Sequence, residues 1–204
     1  MTARCEYIKT CQQGSDEWLN MRLGSVGGSS IDSVLAKGQG KLRKSLLYKL
    51  AAEILSGQKT ASHTTAAMER GTELEPEARQ YYEIITGNKV EQVALVKSWF
   101  PRVHVSPDGL IGEDGGLEIK VMLPHTYVEL VDTEKIDLKY IRQMQHFLWV
   151  TGRKWIDFCA YCPEIEPRPM WIKRILPDNN IIGQIEEELP TFQDEVSALI
   201  KRLS

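Results

Sequence analysis

Leu117, Ile119 and Val121 alternate with Glu118 and Lys120 in the middle of this 204-residue chain. Successive side chains of a strand point to opposite faces, so the three aliphatic residues predict a strand that buries one face. The carboxylate and the ammonium then share the other face, about 6.5–7 Å apart at ~3.3 Å rise per residue. Upstream stand Ser106-Pro107-Asp108-Gly109-Leu110, and Gly112-Glu113-Asp114-Gly115-Gly116 separates the two segments. Glycine tolerates positive φ, which favours a tight reversal there. A hairpin centred on Glu113 sets Asp108 opposite Glu118, so two carboxylates converge with a lysine beside them. Such a group suits a hard divalent cation like Mg2+, which keeps several waters and accepts few protein ligands. The ion polarises phosphate and makes hydroxide from water, and Lys120 can hold that nucleophile or offset charge developing on phosphorus. The competing reading of Glu-x-Lys is a solvated strand edge, whose ion pair contributes under ~1 kcal/mol.

The rest of the chain sets limits. A single domain over 1–204 is long enough for a sizeable core, and 42% hydrophobic with 26% charged residues is ordinary for a globular protein. No apolar run approaches the ~20 residues of a membrane span, and the N-terminus lacks a signal-peptide core, so a cytoplasmic protein is expected. Four cysteines fit a reducing compartment. Cys159 and Cys162 have the C-x-x-C spacing of metal or iron–sulfur ligands, but the surrounding residues 155–161 predict a buried strand. The net charge of −3 excludes a uniformly basic nucleic-acid binder. Yet Lys37, Lys41, Arg43, Lys44 and Lys49 fall in a stretch free of acids, while residues 178–195 hold six acids and no base. The first run is either a solvated face or local basic surface for phosphate.

Helical spacing and end signals predict helices over 15–23 (capped by Ser15 or Asp16), from Ser29 or Ser30 to Gly38, over 45–55 up to Gly57, and over 64–86 with a break, stopped by Gly87. Strands follow over 90–96, 103–111 and 117–121, the last two as the hairpin. Then come helices over 126–131 and 138–150, strands over 155–161 and 170–175, and a helix over 179–203. The order implies an α/β (α+β) fold, a mixed β-sheet flanked by helices. No internal repeat or linker interrupts it.

Two further segments carry polar groups of interest. In Gly71-Thr72-Glu73-Leu74-Glu75-Pro76-Glu77-Ala78 the pair Thr72 and Glu75 has capping-box spacing, with Pro76 in the first turn. Glu75 either caps that helix or leans over the metal as a third carboxylate. In Tyr140-Ile141-Arg142-Gln143-Met144-Gln145-His146 the buried stripe leaves Tyr140 and Gln143 together on a neighbouring face. They either face water or line a site where an amide binds water or phosphate. The four histidines show no ligand spacing, and only His104 lies near Asp108.

Ser106-Pro107-Asp108-Gly109 with Leu117-Glu118-Ile119-Lys120 resembles the PD-(D/E)XK nuclease signature. The ordered set resembles the phage lambda-type exonucleases, the YqaJ-like viral recombinases. It adds Trp18-Leu19-Asn20-Met21-Arg22-Leu23-Gly24 with Ser29, Gly71-Thr72-x-x-Glu75, Tyr140-x-x-Gln143-x-Gln145 and Trp149-Val150-Thr151. The likeness covers residues 12–162, a restriction-endonuclease-like nuclease core, and leaves the strand and helix of 163–204 without a motif.

The resemblance implies a Mg2+-dependent 5′→3′ exonuclease, with Mn2+ as a possible substitute, that digests one strand of linear double-stranded DNA and leaves a 3′ overhang for recombination. It implies Asp108, Glu118 and the Ile119 carbonyl as metal ligands, assisted by Glu75, with Lys120 orienting the attacking water. Gln143 and Tyr140 would line the site, and Arg22 and Ser29 would bind the terminal 5′ phosphate; otherwise Arg22 is an ordinary surface arginine. A homotrimeric ring around DNA, a single-strand annealing partner and a phage or prophage origin in a bacterial cell are implied likewise. Two other readings share the residues: a PD-(D/E)XK endonuclease of restriction or repair type, and a catalytically silent DNA-binding module on the same fold.

Overall fold

The computed structural model describes residues 5–36, 40–60 and 65–204. Lys37, Gly38, His63 and Thr64, which figure in the expectations above, lie outside them. The described residues form two sheets. Strands β1 (Cys5–Ile8), β3 (Leu95–Ser98) and β4 (His104–Val105) form an antiparallel sheet in the order β1-β3-β4. Strands β2 (Val90–Glu91), β5 (Gly109–Ile111), β6 (Gly115–Val121), β7 (Trp155–Tyr161) and β8 (Met170–Ile175) form the second, in the order β2-β5-β6-β7-β8. Its β6–β7 pair is parallel and the others antiparallel, so the sheet is mixed as expected.

The expected strands over 90–96 and 103–111 are each divided between the two sheets. The second break falls at Ser106-Pro107-Asp108, where proline has no N–H to donate to a ladder. The third strand and the hairpin form as read. Gly109 pairs Leu117 and Ile111 pairs Gly115, around a turn in which Gly112 takes φ +52°.

Helices α1 (Asp16–Met21), α2 (Ile31–Leu35), α3 (Lys41–Ser56), α4 (Ala66–Thr86), α5 (Pro124–Thr133), α6 (Leu138–Thr151) and α7 (Asn179–Leu203) complete the fold. Ser15 caps α1, and α3, α4 and α6 end at Gly57, Gly87 and Gly152. The break and capping box expected near Thr72 are absent. Helix α4 runs unbroken from its N-cap Thr65, whose hydroxyl accepts from the Met68 N–H. Thr72 Oγ1 instead donates to the Met68 carbonyl at 3.1 Å. Pro76 lies inside the helix and leaves the Thr72 carbonyl without its usual donor. Glu75 therefore sits in mid-helix and caps nothing.

Leu117 and Ile119 of β6 pack with Ala78 and Tyr82 of α4 on one face of the larger sheet. Helix α6 covers the other face and also contacts β3 and β4, so it lies between the two sheets. Helix α7 packs against α2, α3 and α6. Here the expected charge separation is corrected in part. Arg43 from the basic run is 7% exposed, donates to the Val34 carbonyl, and pairs with Glu188 at 3.1 Å and Glu195 at 2.9 Å from the acidic run. On the α4 side, buried Asp157 accepts the Tyr82 hydroxyl at 2.8 Å and two Arg174 bonds at 2.8 and 2.9 Å. Among the described residues no helix is long and apolar enough to cross a membrane.

Candidate active site

The β5–β6 register places Asp108, one residue before β5, across from Glu118. Asp108 Oδ2 accepts the Ile119 N–H at 2.7 Å. A strand residue's N–H and C=O point to the same side, so the Ile119 carbonyl faces the Asp108 edge as well. Glu118 is 4% exposed on a central strand, so the solvated-edge reading of Glu-x-Lys does not apply. Glu118 Oε1 takes an ion pair from Lys120 and a 2.6 Å hydrogen bond from Gln143 Nε2. The Lys120 ammonium also lies 5.2 Å from the centre of the Tyr140 ring. Asp108, Glu118, Lys120, Gln143 and Tyr140, drawn from three segments, are thus brought together. Gln145 is not among them: it donates to the Leu176 carbonyl at 2.9 Å and accepts the Asp178 N–H at 2.7 Å, fastening the start of α7.

Glu75 approaches from α4. Its carboxylate pairs with Arg79 one turn on, and Arg79 Nε donates to the Asp108 carbonyl at 3.0 Å. Arg79 was not singled out in the sequence; an arginine four residues after a candidate acid is its only local trace. A cleft of about 650 Å3 opens here, lined by Trp18, Glu75, Arg79, Gln92 and Asp108. A second, narrow pocket of about 60 Å3 is lined by Arg22, Ser29, Ser106, Glu118 and Gln143. Arg22 stacks on Trp18, its guanidinium carbon 3.8 Å from the ring centre. Ser29 sits in a 3-10 turn over Gly28–Ser30. Ser30 makes the local bonds, to the Gly27 N–H at 3.1 Å and the Gly27 carbonyl at 2.9 Å. Both pockets adjoin the break between the sheets, which is strapped. Trp18 Nε1 donates to the Ala94 carbonyl at 2.8 Å and Ser106 Oγ at 3.1 Å, and Gln13 Nε2 donates to the carbonyls of Val93 at 3.1 Å and Pro107 at 2.9 Å.

The profile of the YqaJ-like viral recombinase domain matches residues 17–154, a stretch holding every side chain of both pocket walls except those before α1. This chain belongs to the YqaJ-like viral recombinase family. It superposes with a TM-score of 0.86 and 36% identity on an alkaline exonuclease from Laribacter hongkongensis, over 93% of this chain and 96% of that one. The same enzyme in complex with dAMP gives 0.87 and 37% over the same shares. A phage-related exonuclease from Haemophilus somnus 129PT shares the fold at 0.70 and 18% identity, over 91% and 99%. No curated protein matches the sequence.

In this family member the acids resist ionising together. Burial pushes the Glu118 carboxyl up to about 7, with nearby Asp108 adding to the rise and Lys120 opposing it. Burial and then Asp108 raise Glu75 to about 7 against Arg79 and Lys120. Asp108 is raised by burial too, countered by Lys120 and the Ile119 N–H. Burial works against the Lys120 charge, but Glu118 and Asp108 outweigh it and hold its ammonium above the ordinary lysine value. A divalent cation would relieve this crowding of like charge. Among the described residues no three His, Cys, Asp or Glu side chains form a metal cage by themselves, Cys159 and Cys162 included. Mg2+ needs only one or two carboxylates and otherwise waters. Asp108 and Glu118 with the Ile119 carbonyl fit that demand, and Glu75 stands behind them on Arg79.

Proposed function

We propose that this chain is a Mg2+-dependent 5′→3′ exonuclease that digests one strand of linear double-stranded DNA and leaves 3′ single-stranded overhangs for recombination by strand annealing. One observation carries the reading: the Asp108–Glu118–Lys120 group on the β5–β6 hairpin, with Glu118 buried and the other two half-buried, abuts a narrow pocket containing Arg22 and Ser29. The family membership and the likeness to an alkaline exonuclease, one of whose structures holds dAMP, support it.

Asp108, Glu118 and the Ile119 carbonyl would hold the metal, with Glu75 assisting. When bound, the ion supplies Lewis-acid polarisation of the scissile phosphate and a low-pKa water. Lys120 keeps its proton, so its ammonium holds the attacking oxygen and offsets charge growing on phosphorus. Gln143 fixes the Glu118 carboxylate, and the Tyr140 ring steadies the ammonium of Lys120. Arg22 offers paired N–H donors to the terminal 5′ phosphate, with the Ser29 hydroxyl beside it. A terminal phosphate anchored there sets the first phosphodiester against the acids. This arrangement favours an exonuclease over an endonuclease with the same core.

Mn2+ as a substitute ion, assembly as a homotrimeric ring, a single-strand annealing protein as partner, and action in the cytoplasm of a bacterium carrying the phage or prophage complete the proposal. The test is end-labelled linear duplex with and without Mg2+, beside covalently closed circular duplex. Stepwise loss of the 5′-ended strand from linear DNA alone is expected; cleavage of the closed circle would overturn the exonuclease reading.

A further inference from the structure

His104 stands at the start of β4, 82 residues from Arg22 in sequence, and is 3% exposed. Arg22 Nε donates to His104 Nε2 at 3.0 Å. A guanidinium has no acceptor atom, so Nε2 must carry the lone pair and Nδ1 the proton. Nδ1 lies 2.8 Å from Ser25 Oγ, which can accept that proton. Arg22 itself thus selects one neutral tautomer of the ring. Burial, reinforced by the Arg22 charge and by His146, lowers the His104 pKa to about 3, which keeps the ring neutral.

The backbone fits this contact closely. His104 N–H donates to the Val26 carbonyl at 3.0 Å, and Val26 N–H donates to the Arg102 carbonyl at 2.9 Å, so the loop after α1 is laced onto β4. A Cβ at Gly27 would lie 2.7 Å from His104 Nε2, so any larger residue there would push against the ring that meets Arg22. A face of the guanidinium stacks on Trp18. With Nε occupied, the two terminal nitrogens of Arg22 remain for the narrow pocket, where Ser29 waits on the same laced loop.

We propose that His104 is a positioning residue that aims Arg22 at the 5′-terminal phosphate and thereby sets the preference for 5′-phosphorylated ends. This rests on the phosphate reading of Arg22 given above, and the experiment separates the two. Initial rates are measured on 5′-phosphorylated and 5′-hydroxyl linear duplex for the full chain and for His104→Leu, His104→Gln and Arg22→Ala. His104→Leu should raise KM for phosphorylated ends about 10–100-fold, with the loss in KM rather than kcat, and should erode the preference for phosphate. In His104→Gln the amide oxygen can accept from Arg22, so the preference should return to within a few-fold of the parent.

If Arg22→Ala abolishes the preference while His104→Leu keeps it, the positioning role is wrong and the phosphate pocket stands. If Arg22→Ala keeps the preference, the phosphate reading fails, and this proposal with it. Should His104→Leu not fold, 15N spectra of the histidine-labelled parent chain decide the matter. A neutral Nδ1–H ring at His104 is expected, and an Nε2–H or doubly protonated ring would overturn the proposal.

Discussion

Replacing Lys120 with methionine keeps most of the stem and removes the ammonium. In the metal-free protein the Glu118 carboxylate, 5% exposed, then loses its ion partner, whose own side chain is 25% exposed. Breaking a buried pair costs about 3–5 kcal/mol, and the partial exposure of Lys120, together with proton uptake by a carboxyl already raised to about 7, trims this to about 2–4 kcal/mol. For a chain of this size each kcal/mol moves Tm by about 2–4 °C, so Lys120→Met should melt roughly 4–16 °C lower in EDTA. An ion at a hundredfold its Kd stabilises the folded state by about 2.7 kcal/mol. In the variant the ion meets a carboxylate free of its competitor, so adding Mg2+ should raise Tm by more than in the parent. The assay is a thermal melt of both proteins in EDTA and across a Mg2+ series, with DNA digestion followed in parallel. Digestion by Lys120→Met should be lost even where Mg2+ restores its stability. Equal Mg2+-induced shifts in the two proteins, or none in either, would refute the idea that ammonium and metal compete for Glu118.

Glu118→Gln and Asp108→Asn should each lower Mg2+-dependent digestion by at least about a hundredfold while the circular-dichroism spectrum stays folded; full activity would remove the residue from the metal site. Arg79→Ala frees Glu75 and the Asp108 carbonyl at once, and should raise the Mg2+ concentration for half-maximal rate about 10–100-fold. An unchanged Mg2+ titration would make Arg79 merely structural. Tyr82→Phe deletes a hydrogen bond to the buried Asp157 carboxylate and should cost about 1.5–3 kcal/mol in denaturant melts with digestion intact; a loss below about 0.5 kcal/mol would mean Arg174 satisfies Asp157 alone.

The acid pair was legible because its signals are local. A period of two and a glycine turn set the hairpin register, and the register alone brings Asp108 to Glu118. Glu75 was legible as a residue of interest but misplaced: the proline rule put a helix start at Thr72, whereas α4 tolerates Pro76 by giving up one carbonyl bond. Arg43 misled for another reason. Its partners Glu188 and Glu195 lie some 150 residues away, and nothing near position 43 marks it as buried. His104 and Arg79 matter through what they touch across the fold, Arg22 and the Asp108 carbonyl, so the sequence carries only a faint trace of each: His104 lies near Asp108, and Arg79 follows Glu75 by four residues. Gln145 illustrates the reverse, since it belongs to the same short motif as Gln143 yet ties down α7.

The step of the backbone from β4 to β5 at Ser106-Pro107-Asp108 means that one acid hangs from the junction while Glu118 rides rigidly inside the larger sheet. The register and the Ile119 N–H hold the first acid to the second, and the junction it hangs from is a gauge of how the sheets are set against each other. The indole of Trp18 and the amide of Gln13 act as clasps on that gauge. Loosening either clasp would detune the two carboxylates at a distance, with no ligand replaced.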